Sequence, residues 1–67
     1  MDKAEQWAKR ILEAHADSLS FIMACKIEVM KKEKDPDELF HRIHQILINS
    51  GRREIADSFN SHVFKNQ

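Results

Sequence analysis

Residues 19–30 read LSFIMACKIEVM, and nine of these twelve are apolar: Leu19, Phe21, Ile22, Met23, Ala24, Cys25, Ile27, Val29 and Met30. No other window of the chain is so rich. A segment this apolar does not stay on the surface of a stable monomer without cover. Either the rest of the chain supplies that cover or a second molecule does. Phe21, Met23, Cys25, Ile27 and Val29 alternate, which would suit a strand. No partner strand follows nearby, and Met23, Ala24 and Met30 are good helix formers, so the segment reads as helix.

Extending that helix towards the N-terminus keeps its phase. At about 100° per residue from Trp7, the residues Ala4, Ala8, Ile11, Leu12, His15, Leu19, Ile22, Met23, Cys25, Val29 and Met30 share an arc of about 160° with Trp7. The charged residues Lys3, Lys9, Arg10, Glu13, Asp17, Glu28, Lys31 and Lys32 fall on the remainder. The pattern predicts one long N-terminal helix over about 3–33, roughly 45 Å in length. Asp2 is its N-cap, with Glu5 as capping-box partner. Its weakest point is Ala16-Asp17-Ser18, where a break would fall. Phe21, Ala24 and Ile27 lie on the otherwise polar arc, so the second half of the helix is apolar almost all round and is expected to be buried from two sides.

Two polar residues sit on the apolar arc. His15 reads either as a core imidazole bonded to a carbonyl or carboxylate, or as a residue facing a groove or subunit seam. Lys26 reads either as a stem packed on the core with its ammonium reaching out, or as a register-fixing residue in the same seam.

Towards the C-terminus, Lys31 to Lys34 ends the first helix. Asp35-Pro36-Asp37-Glu38 opens a second, over about 36–50, with Asp35 at the N-cap, Pro36 at the first helical position and Glu38 completing a capping box. Leu39, Phe40, Ile43, Ile46 and Leu47 form its apolar face, with Ile48 off that face. Gly51 stops it, being the residue at ease in a left-handed C′ position. A third helix runs over about 52–65, with Ile55, Ala56, Phe59 and Val63 on one face and Phe64 pointing elsewhere. The fold expected is all-α: a small bundle in which a helical hairpin folds back along a long first helix, with residues 1–67 as one domain.

Charge and cysteine content narrow the function classes. Lys plus Arg and Asp plus Glu number eleven each, so the basic excess of a nucleic-acid binder is absent. Lys31, Lys32 and Lys34 form the densest basic patch, read as a solvated helix end before an anionic-partner site. The one cysteine, Cys25, excludes an intrachain disulfide and suits a reducing compartment. The N-terminus lacks the apolar region of a signal peptide, and no apolar run approaches the roughly 18–20 residues of a membrane span. A cytoplasmic protein is expected.

Few residues point to chemistry. His41 and His44 are one turn apart, with Asp37 and Glu38 a turn before, but a structural zinc site wants four ligands and the spacing matches no metal motif. No metal or cofactor is expected. No nucleophile elbow, glycine-rich phosphate loop or paired-carboxylate pattern accompanies the serines, which argues against an enzyme.

Arg53-Glu54-Ile55-Ala56-Asp57-Ser58-Phe59-Asn60 resembles the first helix of a bacterial helix-turn-helix, where an Ile-Ala pair packs on the recognition helix. The resemblance covers eight residues and implies a DNA-binding transcriptional regulator using residues 52–65. Members of that family continue with a turn and a full second helix. Here Asn60 stands near the turn, and residues 62–67 are short for a major groove.

Two helices of about fifteen residues do not enclose one of thirty. The apolar excess therefore predicts a homodimer or docking on another protein, with Phe21, Ala24, Ile27, Lys26 and His15 as the interaction surface, and Ile22 and Val29 inside one protomer. The function expected is that of a small non-catalytic interaction or regulatory protein acting through helical surfaces. The alternative is the DNA-binding regulator.

Overall fold

The computed structural model describes residues 2–14 and 18–64, leaving the Ser18 side chain aside. They form four helices: α1 (Lys3–Glu13), α2 (Ser18–Lys32), α3 (Pro36–Asn49) and α4 (Arg53–Val63), with no strand among the described residues. The all-α bundle agrees with the sequence. The single helix over 3–33 does not, because the chain leaves α1 at Ala14 and begins α2 at Ser18.

The reason is visible at the far ends of the pair. Lys3 Nζ lies 2.6 Å from Glu33 Oε2. In one straight helix those residues would stand about 45 Å apart. Folding back brings the Ala4, Ala8, Ile11 line of α1 and the Ile22, Cys25, Val29 line of α2 into one core. Ala4 and Ala8 are fully buried, and their small side chains let neighbouring helices approach α1 closely. Both arms kept one angular phase, so the pattern of a hairpin imitated that of a rod.

Around the core the helices follow the order α1, α3, α4, α2. Each packs on its two neighbours, and α2 and α3 touch less across the diagonal. The molecule measures 31 × 28 × 18 Å. Among the described residues the fully buried side chains are all apolar. Phe59 is fully buried and meets Phe40 edge-on, with ring centroids 6.2 Å apart. Phe64, expected to point away, instead packs edge-on against Phe40 and stacks on His41 with centroids 4.5 Å apart.

The helix ends follow their local chemistry. Asp2 Oδ1 accepts from the Glu5 N–H at 2.9 Å and the Asp2 N–H donates to Glu5 Oε1 at 3.1 Å, a complete capping box. The bond from the Glu5 N–H, with Arg42 on the other carboxylate oxygen, holds the Asp2 carboxyl below its ordinary value of 3.8. At α3, Asp35 Oδ1 accepts from the Glu38 N–H at 3.3 Å. The return bond expected from Glu38 is absent among the described residues, so only half of that box forms. Gly51 follows α3 at φ +79°, the left-handed turn that glycine adopts without strain.

Asp35→Ala is expected to cost about 0.5–2 kcal/mol, and Pro36→Ala less, because proline at the first helical position forfeits no hydrogen bond. Urea titration of both variants checks the order. A larger loss at Pro36 would contradict the capping role of Asp35.

Candidate functional site

The helix α2 uses only one narrow line for the protomer core. Ile22, Cys25 and Val29 are buried, at positions i, i+3 and i+7 of one face. The rest of its apolar surface faces outward. Leu19 is 48% exposed, Phe21 40%, Met23 38%, Ile27 62% and Met30 57%. Ala24 is exposed among them. Beside Ile27 the surface has a shallow hollow lined by Ala24, Ile27, Glu28, Lys31 and Lys32. Glu28 and Lys32 pair at 3.1 Å along the rim.

The residues expected on an interaction surface are thus divided. Phe21, Ala24 and Ile27 share the outer half of α2. Lys26 is half-buried and turned towards α4, where its Nζ donates to the His62 carbonyl at 3.3 Å. That bond satisfies a carbonyl in the last turn of α4, where a cation also suits the helix dipole. The packed-stem reading of Lys26 fits this geometry. His15 lies outside the described residues.

By angular phase Leu19, Met23 and Met30 belong to the core arc. They stand out in solvent because α4 and α1 cover only the narrower Ile22, Cys25, Val29 line of that arc. The signal available in the sequence was the apolar girdle of α2 itself. A helix apolar all round in a chain this small has more surface than the chain can cover.

Cys25 lies on the opposite, inner side and is fully buried. Burial, with the Glu28 charge acting the same way, pushes its thiol from an ordinary 9.0 up to about 12. A raised thiol pKa favours the neutral form, so its contribution to stability is complete below pH 9 and declines as pH rises from there towards about 12. The thiolate is the reactive form. Labelling of Cys25 by a thiol reagent at pH 8 is therefore expected to be slow in native buffer and fast in denaturant. Fast, complete labelling of the folded protein would contradict the placement of Cys25 inside.

The other sequence candidates are scattered. His41 is exposed beside Phe64, and His44 is half-buried one turn on. No group of three His, Cys, Asp or Glu side chains among the described residues is arranged to hold a metal ion. In the helix-turn-helix-like segment, Ile55, Ala56 and Phe59 are buried in the bundle core, and no helix follows α4 among the described residues. Between α1 and α2 a polar cleft is lined by Lys3, Trp7, Arg10, Glu28, Lys32 and Glu33. Its charges are largely matched within it: Lys3 with Glu33, Lys32 with Glu28, and the Arg10 guanidinium over the Trp7 ring at 5.2 Å.

No helix among the described residues is long and apolar enough to cross a membrane. No protein-family model, curated protein or solved structure matches this chain.

Proposed function

We propose that this is a small non-catalytic docking or regulatory protein whose working surface is the outer face of α2, engaged by a second copy or by another protein. The observation that carries the reading is the continuous exposure of Leu19, Met23, Ala24, Ile27 and Met30 along one helix. Unpartnered apolar surface of this kind is costly to keep in water and marks sites that another molecule covers. The lone buried thiol suits a reducing compartment, which supports a cytoplasmic location.

A photo-crosslinking amino acid placed at Met30 tests the reading, with one at the exposed Gln45 of α3 as control. Irradiation in cells producing the protein is expected to give discrete protein adducts from position 30 and none from position 45. Equal diffuse labelling from both positions would end the docking assignment.

A further inference from the structure

We propose that the occupant of this face is a second copy of the chain, with the two α2 helices packed antiparallel about a two-fold axis. The inference rests on the docking reading above and adds the occupant and its orientation.

The arrangement of the exposed side chains is the first support. Leu19, Met23, Ile27 and Met30 fall at i, i+4, i+8 and i+11, a single stripe along the helix. The stripe is nearly symmetric end to end. A copy running the opposite way sets Met23 beside the partner's Ile27, and Leu19 beside the partner's Met30. A two-fold contact requires this self-complementarity, because one patch must serve both sides.

Charge selects the orientation. Lys26, Glu28, Lys31 and Lys32 all lie in the second part of α2, and residues 18–25 carry no charge. A parallel pair would bring Lys31 against the partner's Lys31. An antiparallel pair sets Lys31 beside the partner's Ser20, which keeps the two Lys31 charges apart, while Lys26, nearest the axis, has its ammonium turned onto the His62 carbonyl. Like-charge juxtaposition across an interface is strongly disfavoured.

The area is sufficient for a reversible dimer. The four large side chains of the stripe leave on the order of 350 Å² of apolar surface, within the size range of functional patches. At the roughly 65% apolar share of homodimer interfaces this corresponds to about 550 Å² per protomer. A standard interface buries about 800 Å² per partner. The dimer is therefore expected to form and dissociate with concentration.

Variants of the full chain with one added cysteine read both occupant and orientation. Ser20 and Lys31 are exposed on α2, so Ser20→Cys and Lys31→Cys leave the core intact, and the native Cys25 is buried away from the seam. Under mild oxidation a mixture of the two variants is expected to give the mixed disulfide dimer, while neither variant cross-links alone. Sedimentation of the wild type should shift from monomer to dimer with concentration, and Ile27→Glu should remain monomeric with its helical spectrum unchanged. Cross-linking of each variant with itself would overturn the antiparallel arrangement. A dimer indifferent to Ile27→Glu would overturn this face as the seam. A wild-type monomer at millimolar concentration would overturn the second copy as occupant. In that case adducts from position 30 to a different protein would leave the docking reading standing, and their absence would end both.

Discussion

Replacing Ile22 by Asp is expected to abolish folding. Ile22 is fully buried on the inner line of α2. Among the described residues no buried polar side chain is present to receive a carboxylate. Losing the aliphatic side chain alone costs about 2–5 kcal/mol. Burying an unpaired carboxyl adds several more, even after it takes up a proton. A domain of this size holds about 3–5 kcal/mol in total. The helical signal should be lost at neutral pH without denaturant. Ile27→Asp, about one and a half turns along on the outer side, should keep that signal. Circular dichroism of the two variants makes the comparison. A folded Ile22→Asp with an unchanged melting temperature would mean that α2 buries a different face.

Phe59→Ala should be nearly as damaging. The ring is fully enclosed, and its edge-on contact with Phe40 fastens α4 to α3. Truncating a buried phenylalanine costs about 3–5 kcal/mol, the transfer loss and the cavity together. That matches the whole stability expected of the chain, so the variant should be largely unfolded at room temperature. Phe64→Ala, at a half-buried ring on the rim of the same aromatic group, should cost visibly less. Urea titration orders the two. A loss at Phe59 no larger than at Phe64 would show that the α3–α4 contact does not depend on the inner ring.

Local chemistry proved the most legible part of the sequence. Asp2 with Glu5, Asp35 with Pro36, and Gly51 mark helix ends through bonds made within a few residues, and such bonds depend little on the rest of the fold. The division of residues 3–32 into two helices was not legible from periodicity. Angular phase records which way a side chain points around an axis, not whether the axis has reversed. The Lys3–Glu33 contact distinguishes the two cases, and it exists only after folding. The same limit misplaced Leu19, Met23 and Met30, because the width of a buried arc is set by the neighbours that cover it. Phe21, Ala24 and Ile27 were legible as surplus apolar surface by composition alone. The Lys26 bond to the His62 carbonyl was not, since it joins residues brought together only by the α2–α4 packing.

The spatial order α1, α3, α4, α2 bears on how the chain reaches its native state. Its two sequence-local units are the hairpins α1–α2 and α3–α4. Yet α1 packs more extensively on α3 than on its own hairpin partner. Each hairpin alone leaves much of its apolar surface wet, and short isolated helices are marginal in water. The hairpins therefore gain persistence only by docking on each other, and that encounter is the natural barrier. Short connections keep the loop-closure cost low, which places such a bundle in the microsecond-to-millisecond class of folders. Buried side chains of α1 and α3, such as Ile11 and Ile43, would then govern the speed of folding, while the caps govern mainly how long the finished structure lasts.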